Sequence, residues 1–198
     1  MNVADDAPGS PQTASLNGTG AQANVGAAPS PVKVAARELG LSVIHDVAGL
    51  VDHAEPDTLG VVVAYGSLIP TDVLSVLPMV NAHYSLLPRW RGAAPVERAI
   101  LAGDTSTGVC IMRVVEELDA GEVFARHEVA IGVNESADDV RSRLDLVAQT
   151  LLVDTLRAGA WVGVPQTGET LYARKITAVD RAMTCGDAEV EGRRIRIG

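Results

Sequence analysis

From Ser30 onward, apolar and polar positions follow two alternating periods. Val32 to Leu39 repeats at helical spacing, with Pro31 placed to open the helix and Gly40 to stop it. Leu41 to Ile44 reads as a short strand. Leu59 to Ala64 (LGVVVA) is a near-continuous apolar run rich in β-branched residues, as expected of a strand covered on both faces. Thr71 is placed to cap a short helix through Leu77, which Pro78 ends, and Met79 to His83 reads as the next strand. Pro95 opens a helix, VERAILA, that stops at Gly103. Two alternating stretches, Thr107 to Val114 and Glu122 to Ile131, are joined across Leu118-Asp119-Ala120-Gly121 in the manner of a hairpin. Ser136 with Asp139 opens the longest helix, to about Ala158, with Leu144, Val147, Leu151 and Leu152 at core spacing. Beyond Pro165 the pattern is irregular, and Glu189 to Ile197 alternates like a final strand. Strands alternating with helices predict an α/β domain whose later strands turn antiparallel.

The first 31 residues break this pattern. They contain no Lys, Arg or aromatic residue and are crowded with Ala, Gly, Pro, Ser, Asn and Gln. They have neither the basic start and apolar stretch of a secretory signal nor the arginines of an organelle presequence. Their apolar surface is too small to offset the entropy of ordering, so residues 1–31 are expected to form a low-complexity, disordered tail.

Composition narrows the possibilities. With 198 residues, 47% of them hydrophobic and 21% charged, the chain has material for one core of ordinary size. Aromatics make up 3%, so that core must be aliphatic. Sixteen Lys and Arg against 25 Asp and Glu give a net charge of −9, which argues against a polybasic membrane anchor or a stand-alone nucleic-acid clamp. No apolar run approaches the ~18 residues of a membrane span, so no membrane partner is expected. Cys110 and Cys185 share no metal-type spacing. Cys110 suits a core position and Cys185 a surface thiol, in a reduced, cytosolic setting.

The stretch richest in chemistry runs from Asn81 to Pro95, NAHYSLLPRWRGAAP. On a strand, positions i and i+2 share a face, so Asn81 and His83 point the same way where the strand gives way to a loop. Open α/β sheets place their ligands at such strand ends. An amide beside an imidazole can polarise a carbonyl and stabilise the negative charge formed when a nucleophile attacks it. On spacing alone the other reading stays open, with Asn81 capping a loop and His83 a hydrogen-bonded, half-buried histidine. Asp119 in LDAG is, on the same terms, a good turn residue.

Asn-x-His followed by Ser-Leu-Leu-Pro resembles the signature of the folate-dependent formyltransferases. The longer SLLPRWRGAAP is similar to the branch of that family that acts on methionyl-tRNA. The likeness extends upstream to Ser30-Pro31-Val32-Lys33. It continues through Gly103-Asp104, Thr107-Gly108-Val109 and Leu118-Asp119-Ala120-Gly121 to Tyr172-Ala173 and Lys175-Ile176. It implies a Rossmann-like catalytic domain with a mostly parallel sheet. It also implies catalytic roles for Asn81, His83 and Asp119, and a folate-lining role for Ser85, Leu86, Leu87 and Pro88. The implied reaction moves a formyl group from 10-formyltetrahydrofolate to the α-amine of methionyl initiator tRNA, without a metal, in a cytoplasmic monomer.

Other residues have weaker claims. Arg89-Trp90-Arg91 suits phosphate contact and base stacking, or else a solvated surface with Trp90 packed beneath the loop. Gly92, Gly103 and Gly121 suit turns or caps. His45, His53 and His127 form no metal-ligand spacing and suit the surface. Tyr65-Gly66 ends the apolar strand and suits either the border of a folate pocket or a plain turn. Arg193, Arg194 and Arg196 read as a solvated edge strand.

Both ends depart from the family. The family's opening strand belongs to the centre of the sheet, and here the low-complexity tail stands in its place, so a sheet incomplete at the N-terminus is expected. Residues 32–180 are expected to form a partial catalytic domain, and 181–198 a linker with the possible start of a shortened C-terminal domain. Two alternatives to initiator-tRNA formylation therefore stand: a non-enzymatic or folate-binding remnant, and a formyltransferase acting on an amino sugar or other small amine.

Overall fold

The structure is a computed structural model that describes residues 13–15, 29–44, 46–159, 161–183 and 186–198. His45, Cys185 and most of the expected tail lie outside these residues. The chain divides after Val80 into two compact units, so the span expected to form one catalytic domain falls across both.

In the first unit, helix α1 (Pro31–Glu38) begins as its sequence predicts. The Ser30 hydroxyl accepts from the Lys33 N–H at 3.3 Å, and Pro31 occupies the first turn. A strand (Ser42–Ile44), a 3₁₀ turn (Ala48–His53), a strand (Gly60–Val62) and helix α2 (Thr71–Val76) follow. Thr71 does not cap α2. The cap position falls on Pro70, which has no side-chain hydroxyl to offer, and Thr71 is the first helical residue. The expected strand at 59–64 shortens to Gly60–Val62, and Ala64 turns the chain with φ of 53°.

Within the tail, Thr13–Ser15 is a strand, β1, and pairs in parallel with Ser42–Ile44, which is therefore β2. This corrects the expectation of a wholly unstructured tail at these three residues. The edge of β2 presents unpaired N–H and C=O groups, and any extended segment can satisfy them whatever its composition. Gly60–Val62 is then β3 and neighbours β4 (Met79–His83), the Gly60 N–H donating to Pro78 O at 2.8 Å.

The second unit begins at Asn81, inside β4. It contains β5 (Arg91–Gly92), α3 (Pro95–Ala102), β6 (Ser106–Arg113), β7 (Val123–Ala130) and α4 (Ala137–Ala158). After these come β8 (Tyr172–Ala173), α5 (Ala178–Arg181) and α6 (Ala188–Ile195). β6 lies between β4 and β7 and pairs antiparallel with β7, as the hairpin pattern predicts. β5 pairs in parallel with β8, a contact between distant segments that no local pattern signals. The result is a mixed α/β fold.

Helix boundaries here follow local chemistry closely. Pro95 opens α3, and Gly103 ends it in the left-handed region, with φ of 78°. α4 carries a capping box: the Ser136 hydroxyl accepts from the Asp139 N–H, and the Asp139 carboxylate accepts from the Ser136 N–H. The buried face of α4 is Val140, Leu144, Ala148, Leu152 and Thr155.

Burial in β6 does not follow the alternation of its sequence. Thr107 through Met112 are all buried, Val109, Cys110 and Ile111 completely so. α3 and α4 pack against β6, and Leu87 packs against Cys110 and Met112. Cys110 is a core residue, and burial pushes its thiol pKa up.

The expected final strand at 189–197 is instead helix α6. Asp187 caps it by accepting from the N–H groups of Glu189 and Val190, and Glu189–Arg193 and Glu191–Arg194 pair at helical spacing. The arginines are not a solvated edge. Arg194 donates to Ala182 O at 2.8 Å, and Arg196 donates to Glu135 O at 2.5 Å and Gly132 O at 2.9 Å. Alternating charge and isoleucine suited a strand, but a strand needs a neighbour to pair with, whereas a capped helix satisfies its own backbone.

Candidate active site

Asn81 and His83 are alternate residues of β4 and share a face. Asn81 is half-buried, and His83 is 6% exposed. Asn81 makes no side-chain hydrogen bond among the described residues. His83 is tightly held. Its Nε2 lies 2.8 Å from the carbonyl oxygen of Trp90. A carbonyl only accepts, so Nε2 carries the ring proton and Nδ1 is the nitrogen left for chemistry. Nδ1 lies 3.7 Å from Oδ2 of Asp119, a residue of the same unit that is distant in the sequence.

Asp119 stands in the LDAG turn with φ of 49°, a left-handed conformation that is uncommon outside glycine but accessible to aspartate. Its Oδ2 accepts from the Gly92 N–H at 2.8 Å. Its backbone oxygen accepts from Gln166 Nε2, also at 2.8 Å. Oδ1 therefore remains as the carboxylate oxygen without a contact to β5. Two glycines have structural reasons to be here: a Cβ on Gly92 would come within 2.9 Å of Ala173 O, and one on Gly121 within 1.9 Å of Arg113 O.

The Ser85–Pro88 segment turns mostly inward. Ser85 is fully buried and donates to Arg89 O at 2.6 Å. Leu87 joins Cys110 and Met112 in the core, and Pro88 is buried after a cis peptide bond. Leu86 alone of the four is partly exposed, and it lies against Gly108. A ligand beside this segment would meet the Leu86 side chain and backbone groups.

Arg89, Trp90 and Arg91 do not form one basic, solvent-facing group. Arg89 makes a two-pronged ion pair with Asp104, at 2.9 and 2.6 Å, and Trp90 Nε1 donates to the same carboxylate at 2.7 Å. Arg91 is buried and bonds Gln166 and Glu117. Neither the phosphate-contact reading nor the solvated one fits Arg91, because its guanidinium is consumed inside the fold. Asp104 enters the sequence reading only through the Gly103-Asp104 part of the family likeness, and Gln166 does not enter it at all. Asp104 sits in a recognisable Gly-Asp turn, whereas nothing near Gln166 marks it.

The remaining candidates stay apart. His53 ends the 3₁₀ turn and His127 lies on β7, both exposed. Tyr65 and Gly66 follow β3 in the first unit. Among the described residues, no group of three or more His, Cys, Asp or Glu side chains is arranged to hold a metal, and no helix is long and apolar enough to cross a membrane. A depression of about 370 Å³ is lined by Leu86, Arg89, Trp90, Asp104 and Thr107, among others, and does not include Asn81, His83 or Asp119.

Comparison with known proteins bears on this arrangement. The family described as Formyl transferase matches residues 21–156, which include all three polar residues of the site. The chain belongs to the formyl transferase family. It is 46% identical over 164 residues to the methionyl-tRNA formyltransferase of Leifsonia xyli, an alignment covering 77% of this chain and 54% of the relative. The chain thus spans about half the length of the curated relatives it matches.

Solved structures share the formyl transferase fold. Methionyl-tRNA formyltransferase from Clostridium thermocellum superposes with a TM-score of 0.62 at 19% identity, covering 82% of this chain and 74% of that one. HypX of Aquifex aeolicus, solved with tetrahydrofolic acid, gives a TM-score of 0.64 at 19% identity, covering 81% of this chain and 30% of that one. The expected α/β, Rossmann-like formyltransferase fold is therefore the fold of this chain.

Proposed function

We propose that this chain transfers a formyl group from 10-formyltetrahydrofolate to the α-amine of methionyl initiator tRNA, acting as a cytoplasmic monomer. The observation that carries the reading is the approach of His83 Nδ1 to Asp119 Oδ2, at 3.7 Å, beside an uncommitted Asn81 amide. Family membership and 46% identity to a methionyl-tRNA formyltransferase support the choice of reaction.

The folate would supply an electrophilic formyl carbon. The donor set suits it, because a polarised carbonyl oxygen calls for N–H donors, and Asn81 Nδ2 is one that has no hydrogen-bond partner among the described residues. His83 donates through Nδ1 when that nitrogen is protonated, since Trp90 O holds Nε2. Asp119 faces the resulting imidazolium and, through Oδ1, can accept the proton that the attacking amine loses as the new C–N bond forms; the bond from the formyl carbon to the folate nitrogen then breaks, and that nitrogen takes up a proton as tetrahydrofolate leaves. The Gly92 N–H fixes Oδ2, so the carboxylate keeps one oxygen for positioning and one for proton transfer. In the Ser85–Pro88 segment, Leu86 and the backbone are the parts able to line a flat heterocycle.

The test is formylation of charged initiator tRNA by the purified chain with 10-formyltetrahydrofolate. Product that requires both substrates is the expected result. Folate binding without turnover, or turnover only with free amines or amino sugars, would overturn the reading in favour of a remnant or a small-amine enzyme.

A further inference from the structure

The catalytic roles proposed above leave Gln166 unused, yet its side chain is fully engaged. Nε2 donates both of its hydrogens, one to Asp119 O and one to Gly121 O, each at 2.8 Å. Oε1 accepts two bonds from Arg91, from Nε at 3.0 Å and Nη2 at 2.8 Å. The amide orientation is unambiguous chemically, because the carbonyls only accept and the guanidinium only donates. Arg91 in turn reaches Glu117 through Nη1 at 2.8 Å, so both flanks of the turn carrying Asp119 are tied to one arginine.

Arg91 lies between the two backbone groups that hold the site. The carbonyl of Trp90 bonds His83, and the N–H of Gly92 bonds Asp119. Three consecutive residues thus set the distance between the imidazole and the carboxylate, and the Gln166 amide closes the loop from the Arg91 side chain back to the Asp119 backbone. Asp119 needs such restraint because its left-handed φ is disfavoured for a residue with a Cβ.

We infer that Gln166, seated on Arg91, is a positioning residue for the proposed formyl transfer, holding Asp119 at its working distance from His83 through the Asp119 and Gly121 carbonyls. The inference rests on the proposed reaction for its kinetic consequence only, since the clamp itself is a matter of geometry. Gln166→Glu separates its two halves. The carboxylate still accepts from Arg91 but cannot donate, and it sets an anionic oxygen against two carbonyl oxygens.

The experiment measures kcat and KM for formyl transfer, together with amide exchange at Gly92, in the parent chain, Gln166→Glu, Gln166→Met, Arg91→Met and the double variant Arg91→Met/Gln166→Met. All are assayed well below their melting temperatures. Misplacing Asp119 should lower kcat by about 10- to 100-fold. KM for the folate should stay within roughly threefold, because ground-state binding is untouched. Exchange at Gly92 should speed up as Asp119 Oδ2 moves off its N–H. The double variant should lose no more than the weaker single one, because both substitutions break one unit.

Parental kcat in Gln166→Glu, or unchanged Gly92 exchange alongside a lower kcat, would overturn the inference. So would an unprotected Gly92 amide in the parent. If Gln166→Glu does not melt cooperatively, Gln166→Met takes its place with the same two readouts. If the parent transfers no formyl group, the proposed reaction fails, while Gly92 exchange still decides the clamp.

Discussion

The two units of this chain are built to different standards. In the second, β6 is buried from Thr107 to Met112, and α4 sets Val140 and Leu144 at zero exposure. In the first, β2 and β3 are three residues each, and neither contains a fully buried side chain. Among the described residues, the buried hydrophobics of the first unit are Ala36, Val47, Val73, Leu77, Met79 and Val80. The proposed catalytic trio lies wholly in the well-packed unit, on the end of one buried strand and a turn cross-braced by Arg91 and Gln166. Positioning to a fraction of an ångström needs a scaffold whose own side chains are locked by packing, and the second unit supplies one.

The largest effect that would test this contrast is chemical. His83→Ala and Asp119→Ala should each reduce formyl transfer by about 100-fold or more, the range of general acid–base contributions, while the cooperative melt persists. A variant with near-parental kcat removes that residue from the proposed mechanism.

Next comes core truncation. Leu144→Ala should cost roughly 2–5 kcal/mol in urea unfolding, as for other fully buried leucines. Ile44→Ala, in half-buried β2, should cost less than about 2 kcal/mol, because much of its methyl surface is already wet. Equal costs would erase the distinction between the units.

Amide exchange should show the same ranking without mutation. The N–H groups of β6 should exchange slowest, and those of Ser42–Ile44 and Gly60–Val62 should be among the fastest strand amides. Deleting residues 1–28 removes β1 and should speed exchange at Ser42–Ile44 with little change in Tm. A large loss of Tm on that deletion would make the tail a structural element.

The smallest effect is in acid. Hydrogen bonds from Arg98, then Thr177, hold the Asp180 carboxyl well below its ordinary value of 3.8, and Ser136 lowers Asp139 in the same direction. A carboxylate depressed by folding contributes stability above its unfolded value, and that contribution is lost as pH falls through the folded one. Tm should therefore drop as pH falls below about 5, and Asp180→Asn should flatten that drop. An unchanged slope would show that this ion pair does not shape acid stability.

Helix ends are legible in the sequence for identifiable reasons. Pro31, Pro95, Ser136 with Asp139, and Gly103 mark helix ends through their own backbone preferences, and each helix begins or ends there. Thr71 failed as a cap because Pro70 occupies that position. The stretch 189–197 alternates like a strand over its last four residues, but Asp187, just before the stretch, caps it as a helix. The inward turn of Arg91 is not legible locally, because three neighbouring residues, two of them basic, say nothing about which one a distant glutamine will draw inward.

The sequence by itself determined where elements start and stop, that Asn81 and His83 share a face, and which family this chain resembles, since all of these rest on interactions within a few residues or on a contiguous motif. The tertiary structure alone decided that Nε2 of His83 is held by Trp90, that Gly92 and Gln166 hold Asp119, and that β5 meets β8. Those contacts join residues up to 81 positions apart, and only the packing of the whole second unit chooses which distant donor reaches which acceptor.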